Sequence, residues 1–185
     1  MPGMGAGARA NWQIDLLTVG HNRPGTPFGA GLPNGLVVHS TDDPDATAKN
    51  IRNYFEGHPE AEASAHAAVD WKEVRILVPL LLQPEIAWHA GPTANHRFLG
   101  IEICEPSDPA LWAPTYANAL EMLAEVLRFH RWPVNENYVW SHALTSATWH
   151  ETDHMDPLAF FARHEKTWVE FMADLAAAVS AWPST

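Results

Sequence analysis

The chain has one cysteine, Cys104, among its 185 residues, so no internal disulfide can form. Positive charge is scarce as well. Eleven Lys and Arg stand against 22 Asp and Glu, a formal net charge of −11. Nucleic acid demands a basic footprint, so it is excluded as a partner, and docking to anionic membranes through charge is disfavoured on the same ground. No apolar run is long enough to span a membrane. The start, MPGMGAGARANW, lacks a basic start followed by an apolar run of signal-peptide length. The expectation is a protein that stays in the cytoplasm or leaves it by a route without a signal. No internal repeat or low-complexity run is present.

Histidine and tryptophan, by contrast, are plentiful, at 11 and 9 residues. Tryptophan excess suits flat ligands such as sugars, but most tryptophans pack in cores. Histidine excess points toward metal chemistry, because neutral imidazole is the commonest metal ligand. Hydrophobic residues make up 46% of the chain, enough for a sizeable core in one domain.

Residues 1–34, with HNRPGTPFGAGLPNG, read as an N-terminal arm packed on the domain. LVVHS reads as a strand. DPDATAKNIRNYFEG reads as a helix capped by Asp45, with Ala48, Ile51 and Phe55 on one face and Gly57 at its end. EASAHAAVD alternates weakly, while VRILVPLLL is a continuous apolar run that predicts a central strand. FLGIEICE predicts a strand with Ile101 and Ile103 on one face and Gly100, Glu102 and Cys104 on the other. TYANALEMLAEVLRFHRW predicts a helix capped by Thr115, with a stripe of Leu120, Leu123, Ala124, Leu127 and Phe129. NYVWSHALT reads as a short strand or extended loop, and SATWHETDHMDP as a polar turn. The tail from Leu158 to Trp182 is helical, with Trp168, Phe171, Met172, Leu175 and Val179 at spacings of three and four. Strands separated by helices predict a single α/β domain with a central mixed β-sheet flanked by helices. Its core would run over residues 35–160, with 161–185 adding a C-terminal helix to the same domain.

Chemistry concentrates in the histidine-bearing segments. His39 ends one extended run and His142 another, so both can point from one edge of a sheet. DHMDP offers Asp153, His154 and Asp156, with Pro157 fixing a turn. A catalytic zinc needs three protein ligands and one open position. A competing pattern is HETDH, residues 150–154, which matches the H-E-x-x-H zinc motif with Glu151 as base. That motif requires a regular helix, and the surrounding Thr, Asp and Pro are poor helix formers.

From about Asn22 to Phe160 the pieces NRPG, VVHST, SAHAAVD, AWHAG, LGIEIC, WSHALT and DHMDP occur in one order. In that order they resemble the zinc-dependent N-acetylmuramoyl-L-alanine amidases of the amidase-2 and peptidoglycan-recognition group, many of them phage endolysins and autolysins. The resemblance implies a Zn2+ held by His39, His142 and Asp156 at one edge of the sheet. It implies Glu102 as the proton-transferring carboxylate and His154 as the group that stabilises the oxyanion. Some members carry a catalytic tyrosine before the histidine of the SAHAAVD segment. Ala65 stands there, which leaves more of the work to Glu102. Trp88 and His89 would line the groove for sugar or stem peptide, and His66 would be structural. The implied partner is bacterial peptidoglycan or muropeptides, with the protein a monomer.

Three settings follow from the resemblance: an endolysin, cytoplasmic until release and then acting on the cell wall; a cytosolic muropeptide-recycling amidase; or a recognition module that binds without cutting. Non-cutting relatives typically lack a zinc ligand, and here all three positions are filled.

Overall fold

The computed structural model describes residues 10–29 and 31–181. Trp182, the end of the predicted helical tail, and residues 1–9 of the arm lie outside them. Six strands form one mixed sheet: β1 (Asn11–Ile14), β2 (Gly35–Pro44), β3 (Ala67–Val69), β4 (Glu73–Ile76), β5 (Phe98–Glu105) and β6 (Val139–Ser141), in the order β1-β4-β3-β5-β2-β6. Every pairing is parallel except β3 with β4. The helices are α1 (Ala48–Gly57), α2 (Pro92–Asn95), α3 (Pro109–His130), α4 (His142–Trp149), α5 (Leu158–Arg163) and α6 (Trp168–Ala181).

Strand alternation sorts the side chains onto two faces. Leu36 and Val38 of β2 join Ile101 and Ile103 of β5 in the main core, together with Met122, Leu123 and Leu127 of α3 and Phe171 and Leu175 of α6. Cys104 and Ala68 face the other way, into a second cluster with Ile51 and Phe55 of α1. That opposite face also receives His39 and Glu102. The predicted two-sidedness of FLGIEICE is therefore what the packing uses.

Several boundaries differ from the sequence reading. Thr47, not Asp45, caps α1, in a reciprocal capping box with Asn50. The Asp45 carboxylate instead accepts the Ser107 amide and hydroxyl, at 2.8 and 2.6 Å. Asp108 caps α3 seven residues before Thr115, and Pro114 lies within the helix. Thr115 turns its hydroxyl back onto the Leu111 carbonyl, 2.8 Å away. Phe129 is 46% exposed and falls outside the buried stripe.

VRILVPLLL does not form a central strand. β4 ends at Ile76, one place from the sheet edge, and Pro79 has no N–H to extend a ladder. The sheet edge beside it comes from the arm, whose residues Asn11–Ile14 pair with β4. The helical tail is two helices, α5 and α6, broken at His164–Thr167.

Candidate active site

Three separate elements supply the candidate ligands. β2 carries His39 beside Glu102 of β5, its partner in the parallel register. β6 ends at Ser141, whose hydroxyl accepts the Leu144 amide and caps α4, so His142 is the first helical residue. Asp156 comes from the irregular segment 150–157. Its side chain accepts the Ser40 amide at 3.2 Å, and its carbonyl accepts the Ala143 amide at 3.1 Å.

The three side chains converge. His39 Nδ1 lies 3.0 Å from His142 Nδ1 and 3.2 Å from an Asp156 oxygen, and His142 Nδ1 lies 3.0 Å from the other Asp156 oxygen. Ligand atoms on a tetrahedron with bonds of about 2.0–2.1 Å stand about 3.3 Å apart, so this triangle has the dimensions of a zinc site with one vertex left open. His39 and His142 are nearly fully buried. Burial holds the His39 imidazole below its ordinary pKa, over the opposing pull of Asp156. Burial also pushes the Asp156 carboxyl up, but the two imidazoles outweigh it and hold the group well below the usual carboxylate range.

Glu102 adds a second buried acid. One of its oxygens is shielded from solvent and has no hydrogen-bond partner among the described residues. Burial, with Asp156 and Glu105 nearby, pushes its carboxyl up to about 8. One acid and two imidazoles, with the orphaned oxygen of a second buried acid beside them, form a site that a divalent cation fits.

A groove of about 770 Å³ opens over these groups, lined among others by Trp88, His89, Met155 and Arg163. His154 is exposed, and its ring stacks on that of His142 with 4.7 Å between centroids. At the groove floor the buried Glu105 accepts the Asp42 amide and pairs with Arg163.

The chain's match to known proteins agrees with this geometry. The family model described as N-acetylmuramoyl-L-alanine amidase, amidase-2, matches residues 29–159. The chain belongs to the amidase-2 family. A probable N-acetylmuramoyl-L-alanine amidase of Bacillus licheniformis is 35% identical over 122 residues, 58% of this chain and 33% of that protein. The amidase CwlL of the same organism is 32% identical, over 66% of this chain and 36% of its own. The chain thus spans about a third of the length of these curated relatives. Among solved structures, the catalytic domain of XlyA superimposes with a TM-score of 0.72 at 28% identity, over 90% of this chain and 99% of its own. The hydrolase AmiA of Staphylococcus aureus shares the fold, with a TM-score of 0.82 at 23% identity over 93% of this chain and 84% of its own.

Within this amidase-2 fold, His39, His142 and Asp156 come together as a cluster, with Glu102 on the neighbouring strand and His154 at the rim. Trp88 and His89 line the groove, though both ring nitrogens of His89 are engaged by protein atoms. His66 is buried and structural: its Nε2 donates to the Glu85 carbonyl at 2.7 Å and its Nδ1 accepts the Gly100 amide at 2.9 Å. Burial pushes it down to about 4.

The H-E-x-x-H reading fails. His150 ends α4 with a left-handed φ of 56°, so the motif never forms a helical turn. Glu151 instead accepts the Thr93 amide and hydroxyl, at 2.7 and 2.6 Å. The predicted polar turn SATW is helical, inside α4. The sequence reading also missed Thr152, whose hydroxyl lies 3.1 Å from His142 Nε2 and 2.6 Å from Ser146 Oγ. Nothing in a lone threonine between two acids signals that contact.

Proposed function

We propose that this chain is a zinc-dependent peptidoglycan hydrolase that cleaves the amide between N-acetylmuramic acid and the L-alanine of the stem peptide. The observation that carries the reading is the triangle of His39, His142 and Asp156 with Glu102 beside it. These three residues would hold the ion. Zinc supplies Lewis acidity, which activates water for attack near neutral pH.

A divalent cation at the triangle would favour the ionised form of Glu102, which then takes the proton from the attacking water and hands it to the leaving amine of L-alanine. Its partnerless buried oxygen leaves a lone pair free for that proton. His154, exposed at the rim and stacked on His142, donates a hydrogen bond to the oxyanion of the tetrahedral intermediate. Trp88 offers an apolar wall to sugar or peptide. The setting we favour is an endolysin acting on the cell wall as a monomer, supported by the likeness to the catalytic domain of XlyA and to a mutant endolysin from Bacillus subtilis. No helix among the described residues is long and apolar enough to cross a membrane.

End-group analysis of purified peptidoglycan tests the reading. New L-alanine amino termini that disappear with a chelator and return with zinc are the expected result. New termini from within the stem peptide, or binding to the wall without cleavage, would overturn it.

A further inference from the structure

His89 sits in AWHAG, and the proposed chemistry gives its ring nitrogens no task. Its position is unusually constrained. Asn95 Oδ1 accepts both the His89 and Ala90 amides, at 2.8 and 2.9 Å, and the Trp88 amide donates to Ser64 Oγ at 3.0 Å. The ring lies over Gly100 of β5. A Cβ at Gly100 would collide with it, 2.7 Å from Nδ1, so the glycine of LGIE is the space in which His89 rests.

The hydrogen bonds of that ring have a definite polarity. His89 Nε2 lies 3.0 Å from the Phe98 carbonyl, which can only accept, so Nε2 carries the proton. In a neutral imidazole that is the ring's one proton, and the ring sits between those of His39 and His66. Its Nδ1 is then bare. That nitrogen lies 3.0 Å from His39 Nε2 and accepts its proton. A neutral His39 protonated at Nε2 presents an unprotonated Nδ1 to the triangle with His142 and Asp156. Without a cation, that lone pair would face an Asp156 oxygen 3.2 Å away.

We propose that His89 is a positioning residue, fixing His39 in the tautomer that ligates through Nδ1. Two motif residues, His89 and Gly100, thereby act as one device, and a backbone carbonyl at the end of the relay sets its direction. The other imidazole has a looser support. His142 Nε2 meets the Thr152 hydroxyl, itself paired with Ser146 Oγ, and hydroxyl protons rotate to suit either tautomer. The inference rests on the zinc reading of the site.

The test measures zinc affinity of the purified full chain by competition with a chelator, comparing wild type, His89→Leu and His89→Gln. Leucine removes the acceptor. Glutamine restores it, with an amide oxygen for His39 and an N–H for Phe98. Loss of zinc affinity in the leucine variant on the order of 10–100-fold, with the glutamine variant within a few-fold of wild type, is the expected pattern. Equal affinity in all three, or equal loss in both variants, would overturn the role of His89. A wild-type chain that takes up no zinc would instead overturn the metal reading itself. Should His89→Leu fail to fold, nitrogen-15 NMR of the zinc-loaded wild type reads the tautomers directly. His89 and His39 protonated at Nε2 support the relay, and His89 protonated at Nδ1 refutes it.

Discussion

His39 and Glu102 stand on β2 and β5, paired strands with a neighbour on either side, whereas Asp156 and His154 hang on the segment between α4 and α5, which has no regular ladder. On the strand side, backbone hydrogen bonds and two apolar clusters set the position of each side chain before any ligand arrives. On the loop side, a few individual contacts do so: the Ser40 and Ala143 amides on Asp156, and Glu151 on Thr93. A cation at the triangle would tie the two sides together. Its binding would therefore order the loop far more than the sheet.

The largest break in this arrangement removes a strand-side ligand. His39→Ala should lose zinc at micromolar concentrations and with it all measurable turnover, because two remaining ligands do not make a zinc site. His150→Ala should keep both, since His150 only closes α4. Metal content after dialysis reads the difference. Retained zinc in the His39 variant would remove it from the site.

Glu102 separates holding the metal from using it. Glu102→Ala should bind zinc and lose turnover by roughly 10²–10⁴-fold, the worth of a positioned proton-transfer group. Near-normal turnover on purified peptidoglycan would exclude Glu102 from the mechanism.

The same contrast between sheet and loop explains what could be read from the sequence. VVHST and FLGIEICE were legible because a period of two, bounded by polar residues, is a local property of a strand. The candidate ligand set came from a family resemblance, because no local rule says that residues 39, 142 and 156 meet. α4 was not legible. Its Thr and Ser suggested a turn, yet Ser141 caps it and Thr145 and Thr148 return their hydroxyls to carbonyls of the same helix. β1 was hidden in a Gly- and Pro-rich arm, because its strand character depends on β4, sixty residues away. The start of α3 was misplaced at Thr115, because a threonine suits an N-cap, although the helix is capped at Asp108 and carries Pro114 within it.

On the loop side, His154→Ala should retain zinc and lower turnover by about 10²–10³-fold if its ring donates to the oxyanion. The effect should fall on kcat rather than on KM, because the interaction strengthens only as charge develops. A variant with raised KM and unchanged kcat would recast His154 as a binding residue.

The smallest expected effect lies farthest from the ligands. Glu151 is exposed, and its two hydrogen bonds to Thr93 are worth no more than about 1 kcal/mol in water, so global stability should barely move in Glu151→Ala. Local order should move instead. Those bonds fasten the loop to the start of α2, and their loss frees the segment that carries Asp156. Amide exchange should quicken over residues 150–157 in the zinc-free variant while β2 and β5 stay protected, and zinc should restore much of the loop's protection. Unchanged exchange in the loop would mean that the Ser40 and Ala143 amides hold Asp156 in place without help from Glu151. The two sides of the site would then differ less in rigidity than their backbone hydrogen bonding implies.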